Sequence, residues 1–245
     1  STSYLFTGDI SASVEKELLD KDINVDVLKV AHHGSDYSSS EKFIEKVNSK
    51  YAIISVGNNN KYNHPSNDIR SDNYVPNLFI TNHDLVRFGD LVTWKYQNNE
   101  YYKRHKVALS TLAAYTGPIT IYYGDEIGEK SGTTISGDNV ARTSGRISGF
   151  SSDEQDLHDY VAKLMTIRNE NEALWNGTYT KRYADSTFFV AEKSTSEQTI
   201  AYIVNYSNSP RSYNLNYSGI DLMENEATSS NVSVPALSAM FILKK

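Results

Sequence analysis

Gly117-Pro-Ile-Thr-Ile-Tyr-Tyr-Gly-Asp-Glu-Ile-Gly128 packs a helix stop, a short β-branched run and an acidic turn into one stretch. Gly117-Pro118 ends whatever helix precedes it, because proline has no N–H to donate and glycine tolerates the left-handed turn. The β-branched content of Ile119–Tyr123 then predicts a strand. Immediately upstream, apolar residues at 101, 108, 109 and 112 predict a helix over Tyr101–Ala114. Before that, Asn77-Leu-Phe-Ile-Thr81 reads as a strand followed by Asn82-His83-Asp84. Strand, helix and strand in alternation argue for an α/β arrangement. In a barrel of parallel strands the reactive groups sit past the strand ends, which makes Asn82, His83 and Asp84 candidate site residues. The same three residues are equally readable as turn and cap residues.

Downstream, Gly124–Gly149 is long for a connection and rich in Gly, Ser and Thr, a length usually tied to function. Ser152 with Gln155 predicts a capping box for a helix carrying Leu157, Tyr160, Val161, Leu164 and Met165. From Gly177 onward only short strands are expected: Thr187–Ala191, Thr199–Asn205, Tyr213–Tyr217, Asn231–Val234 and Ala239–Leu243. Turn clusters such as Asn205–Pro210 separate them, which reads as a small antiparallel β-sandwich.

Upstream of all this, Tyr4–Thr7, Val25–Ala31 and Tyr51–Val56 read as strands. Helices are expected over Ser13–Asp20 and from Ser40, with Phe43, Ile44 and Val47 on one face. Asn58–Tyr74 is polar and contains His64-Pro65, so a seam between two parts fits there. The chain thus divides into 1–69, a junction at 70–76, 77–176, and 177–245. The three strands of the first part and the two of the second could pair into one mostly parallel sheet. Thr7-Gly-Asp9 and His32-His33-Gly-Ser35 each follow a strand, and a carboxylate with imidazoles at strand ends can ligate a first-row metal. Capping roles would explain the same residues.

Composition narrows the function. A net charge of −6 over 245 residues gives no reason to expect a phosphate backbone or an anionic membrane as partner. The absence of cysteine excludes disulfides, thiolate metal sites and cysteine nucleophiles. No apolar run approaches the ~18 residues of a membrane span, and Ser1–Phe6 does not read as a signal peptide. The 18 tyrosines pair an apolar face with a polar tip, which suits sugar contacts and strand formation alike.

Two resemblances cover the chain. Phe79–Asp84, Gly117–Gly128 and Thr166-Ile-Arg-Asn-Glu-Asn-Glu-Ala-Leu-Trp175 with Gly177, in this order and spacing, resemble the end of the α-amylase family of glycoside hydrolases. That resemblance spans 75–245. It implies that 77–81 and 119–123 are the last two strands of a TIM barrel, each followed by its helix, and that 178–245 is the C-terminal sandwich. It also implies that Asp84 holds the sugar and stabilises the transition state, and that His83 hydrogen-bonds the sugar. Tyr122, Tyr123, Asp125 and Glu126 would be architectural, with Arg142 or Arg146 as the loop arginine. The substrate implied is an α-1,4-linked glucan, starch or maltodextrin, with no cofactor required and calcium left undetermined. Retaining hydrolysis needs a nucleophile and an acid/base carboxyl about 5–5.5 Å apart. The family's Gly-x-Arg-x-Asp motif and following Glu do not occur in this sequence, so the chain alone is expected to be inactive without a complementing chain. If it follows secreted bacterial amylases, its place is outside the cell or at its surface.

Phe6-Thr-Gly-Asp-Ile10, Asp26-Val-Leu-Lys-Val-Ala-His-His-Gly-Ser35, Tyr51–Gly57 and Asn63-His-Pro65 resemble the last third of the metallo-β-lactamase domain of competence (DNA-uptake) channel proteins. This implies Asp9 and His33 as zinc ligands, with His32 and His64 behind them. The family's His-x-His-x-Asp-His cluster does not occur here, so any zinc site is expected to be incomplete. The alternatives to the hydrolase reading are a fragment of a zinc-dependent phosphodiester hydrolase and a non-catalytic chimera.

Overall fold

The computed structural model describes residues 2–55, 77–95, 100–131 and 141–245. Contacts divide the chain into two compact units, Ser1–Leu78 and Phe79–Lys245.

The first unit is a three-stranded parallel sheet in chain order, β1 (Tyr4–Phe6), β2 (Val27–Lys29) and β3 (Tyr51–Ile53). Tyr4, Leu5 and Phe6 face Val27, Leu28 and Lys29, and Val27 to Lys29 face Tyr51 to Ile53. Helices α1 (Ala12–Leu18) and α2 (Glu41–Val47) supply the crossovers that parallel pairing demands. Side chains alternate across a strand, so Leu5 and Leu28 point into a core built with Ile23, Val30, Phe43, Val47 and Ile54. Tyr4 and Phe6 point the other way, 57 % and 77 % exposed, and Tyr51 is 68 % exposed. Glu15 of α1 is fully buried, and its carboxylate accepts the backbone N–H groups of Ser39 and Ser40 at the start of α2. Val56 and the seam expected at 58–74 lie outside the described residues.

The second unit opens with α3 (Phe88–Lys95) and α4 (Tyr101–Ala114), followed after a long connection by α5 (Ser152–Glu170) and α6 (Glu172–Asn176). Eight strands follow: β4 (Thr178–Ala184), β5 (Phe188–Ser194), β6 (Thr199–Asn205), β7 (Arg211–Asn214), β8 (Gly219–Asp221), β9 (Glu226–Thr228), β10 (Asn231–Val234) and β11 (Ser238–Lys244). Six form an antiparallel sheet in the order β4-β5-β6-β11-β8-β9, and β7 pairs with β10 in a second one. Strand alternation makes three layers. Ile200, Tyr202, Val204 and Phe241 meet Leu109, Leu157, Leu164 and Leu174 of the helices, whereas Ala201, Ile203 and Ile242 meet Val232 and Val234 of β10 and Leu215, which follows β7.

Side chains also fix helix ends in the second unit. Arg168, buried in α5, donates to the carbonyls of Ala113 (2.6 Å), Gly117 (2.6 Å) and Leu174 (3.1 Å), tying the end of α4 to α6. Burial lowers its pKa to about 10. At the start of α5, Ser151 and Glu154 form a reciprocal capping box, with Ser151 N–H donating to Glu154 at 2.7 Å. The expected pair, Ser152 and Gln155, is corrected by one residue. Both registers fit the spacing, but a carboxylate at the third position adds favourable charge at the helix N-terminus where an amide does not.

Other expectations also change. Segments 77–81 and 119–123 are not strands; Leu78 and Ile119 are isolated bridge residues. A strand exists only by virtue of a paired neighbour, and no described strand runs alongside either segment, so the parallel sheet has three strands rather than five. Tyr213–Tyr217 becomes Arg211–Asn214, because Asn216 turns to φ 64° and closes the strand. The helices and the six-stranded sheet share one core, and a second core lies within 177–245, between that sheet and the two-stranded one.

Candidate functional site

Two side chains of the loop after Thr81 meet a third from the connection before α5. His83 Nε2 lies 3.2 Å from Asp84 Oδ1, and Arg142 Nη2 lies 3.7 Å from the same oxygen. About half of each side chain is open to solvent. Asn82 shapes the loop from within, its Oδ1 accepting the N–H groups of Asp84 and Leu85 at 2.9 Å each. An Asx turn of this kind supplies the local hydrogen bonds that a strand would otherwise provide. The sequence placed Asn82, His83, Asp84 and Arg142 in one site, and the fold brings all four to this loop.

Beneath them is a residue the sequence reading passed over. Arg87 is fully buried, with Nη1 donating to the Tyr123 carbonyl and Nη2 to Thr143 Oγ1 at 2.7 Å. Its guanidinium lies 4.8 Å from the centre of the Tyr122 ring and 4.7 Å from that of Tyr123. The Tyr123 hydroxyl donates to the Thr143 carbonyl at 2.7 Å. Thr143 is thereby clamped twice, which fixes its neighbour Arg142 beside Asp84. The signal for Arg87 was present in the sequence, an arginine three residues after Asp84 in an otherwise apolar stretch, but only burial distinguishes an anchor from a surface charge.

Asp125, nearly fully buried, sits 4.0 Å from Arg87 Nη1 and hydrogen-bonds the Thr81 hydroxyl. Burial outweighs both influences and pushes its carboxyl up to about 7. Its Oδ2 has no partner among the described residues. Gly124, at φ 89°, makes the turn that delivers Asp125, and a Cβ there would meet the Glu129 carboxylate at 2.6 Å. Below the same turn His105 of α4 is buried, donates from Nδ1 to the Tyr101 carbonyl at 3.1 Å, and is pulled down to about 4 by burial. Arg146, the other candidate loop arginine, pairs with Glu154 of the capping box instead of Asp84.

In the first unit, Asp9 and the His32-His33 pair follow the C-terminal ends of β1 and β2. Both histidines hold left-handed backbone, φ 48° and 58°, and His33 Nδ1 lies 2.6 Å from the Ser55 carbonyl. His64 lies outside the described residues. Among the described residues no group of three or more His, Asp or Glu side chains could hold a metal ion. Asp9 and His33 are two donors, fewer than the three protein ligands a catalytic zinc takes.

The alpha amylase catalytic-domain family matches residues 22–147, just over half of the chain. This chain belongs to the alpha-amylase family. Among solved structures, the amylase-family chain resembles AmyP in complex with maltose, at 34 % identity and a TM-score of 0.64, over 69 % of this chain and 40 % of that one. Alpha-amylase 2 of Dictyoglomus thermophilum is 26 % identical over 68 % of the chain and 29 % of its own length. A different kind of relative also matches: ComE operon protein 3 of Bacillus subtilis, 48 % identical over 65 residues, which are 26 % of this chain and 8 % of that protein. The amylase-family chain therefore also carries a competence-protein-like segment, the chimeric make-up read from the motifs. It spans less than a third of the length of these two relatives.

Proposed function

We propose that this chain is the sugar-holding part of an α-amylase-type glycoside hydrolase acting on α-1,4-linked glucans. The observation that supports this best is the convergence of His83 and Arg142 on one oxygen of Asp84. Asp84 accepts hydrogen bonds from the hydroxyls of a bound glucose unit, which tighten as positive charge develops on the ring in the transition state. His83 offers a second hydrogen bond to the same unit. Arg142 orients the carboxylate, and the Asn82 turn and the Arg87–Thr143 clamp hold the group in place. These interactions cost little reorganisation because the loop is already formed.

Cleavage itself requires a carboxylate nucleophile and a second carboxyl group as acid/base. Neither motif occurs in this sequence, so the chain by itself is expected to bind glucan without hydrolysing it. The maltose in the AmyP complex is a ligand of the class expected here. Native mass spectrometry of the intact chain with maltoheptaose tests the reading. One bound oligosaccharide on the wild type, with affinity weakened about tenfold or more by Asp84→Asn, is the expected result. Binding that is unchanged by Asp84→Asn would overturn the role given to Asp84.

A further inference from the structure

The loop that carries His83 and Asp84 runs from Asn82 to Arg87, and its two ends meet at one buried hydroxyl. Thr81, 1 % exposed, accepts the Phe88 N–H on its Oγ1 at 3.2 Å. Phe88 opens α3, so this bond also satisfies an amide that has no partner inside the helix. A hydroxyl has one proton to give, and the Thr81 proton goes to the Asp125 carboxyl. Asp125 therefore reaches the start of the loop through Thr81 and its last residue through Arg87, whose Nη1 lies 4.0 Å from Oδ1. Its hold on Asp84 is indirect and comes from both ends at once.

The carboxyl is costly to bury. Asp125 is 3 % exposed, its Oδ2 has no partner among the described residues, and burial disfavours its charged form. Buried groups held under such conditions gather at functional sites. A leucine in its place would fill the space, yet it would take the acceptor from the Thr81 proton and the carboxyl from beside Arg87. The Thr81 hydroxyl would then turn to find another acceptor, and its bond from Phe88 would weaken. We propose that Thr81 and Asp125 are positioning residues for the sugar site: together they latch the neck of loop 82–87 and hold His83 and Asp84 where a glucose unit meets them. That the ligand is a glucan rests on the function proposed above. A loop closed before its ligand arrives loses less freedom on binding, so the latch raises affinity without touching the sugar.

Nitrogen-15 relaxation and maltoheptaose binding, both on the intact 245-residue chain, test the latch. Thr81→Val removes the hydroxyl and keeps the shape of the side chain. Lower backbone order parameters at 83–85 are expected, with those of β6 unchanged, and maltoheptaose affinity should fall severalfold. Thr81→Ser, which returns the hydroxyl, should restore both. Asp125→Leu should act in the same direction, and the double variant should fall short of the sum of the two, because both break one chain of contacts. Order at 83–85 that a folded Thr81→Val leaves unmoved, or a loss of order that reaches β6, would overturn the inference. Undiminished maltoheptaose binding in that variant would overturn it as well. If the wild type binds no maltoheptaose, the glucan reading falls by itself, and lower order at 83–85 in Thr81→Val still upholds the latch.

Discussion

Asp125 and His105 are buried groups whose charges the fold resists, and they act on stability with opposite signs. Asp125 is held up to about 7, so the stability it contributes is complete below about pH 4 and is lost as pH rises through 7. His105 is held down to about 4, so its contribution is present above about pH 6.5 and is lost as pH falls through 4. Between pH 4 and 6.5 the two trends oppose each other and the wild type should be nearly flat. Asp125→Asn removes one of them: urea midpoints should then climb steadily from pH 4 to 6.5. A variant with the wild-type profile would show that Asp125 titrates normally. Arg87 is a different case, an anchor rather than a titrating group. Arg87→Met fills much of the same volume but abandons the Tyr123 carbonyl, Thr143 and Asp125. A loss of about 3 kcal/mol is expected in denaturant unfolding. Maltoheptaose binding should weaken as well, because Arg142 is no longer held against Asp84; undiminished binding in a folded Arg87→Met would refute the clamp.

Among the elements, α5 depends most visibly on its ends. Ser151→Ala removes the hydroxyl that accepts Glu154 N–H and should cost about 1 kcal/mol, while Ser152→Ala should cost almost nothing. Equal effects from the two would contradict the observed register. Gly177, between α6 and β4, has backbone on every side: an added Cβ would meet the Ala173 carbonyl and come within 3.0 Å of Ser194 N. Gly177→Ala should therefore lower the melting temperature by several degrees. These positions also mark what could be read in advance. The helices carrying Leu109, Leu157 and Leu164 announced themselves by period, Thr199–Asn205 by its β-branched apolar run, and Asn82-His83-Asp84 by residue type. Segments 77–81 and 119–123 carry the same β-branched content as true strands, yet pairing is a property of neighbours and cannot be read from composition. Strand β4 was missed because its seven residues, Thr178–Ala184, are exposed and lack apolar alternation. Arg87 and Glu15 were invisible for the converse reason, since charged residues in a sequence look like surface until burial places them inside.

At the scale of the whole molecule the two units differ in completeness. The second has cores on both faces of its six-stranded sheet, whereas the parallel sheet of the first leaves Tyr4, Phe6 and Tyr51 exposed on one side. Parallel sheets are ordinarily covered on both faces. Replacing Phe6 and Tyr51 by Ser should reduce binding of an apolar dye with little change in thermal stability; a large destabilisation would mean that these rings are packed in solution. The six-stranded sheet has a property of another kind. Its fourth strand, β11, stands between β6 and β8 and is the last strand in chain order. A ribosome making this protein releases β4, β5 and β6 early but cannot supply their next neighbour until residue 244 has cleared the exit tunnel. At about 5–20 residues per second, the open edge of β6 waits for seconds in the cell. The stretch Thr199–Asn205, apolar on both faces, is thus a nascent-chain hazard, and it is where a chaperone would be expected to bind before the sheet closes.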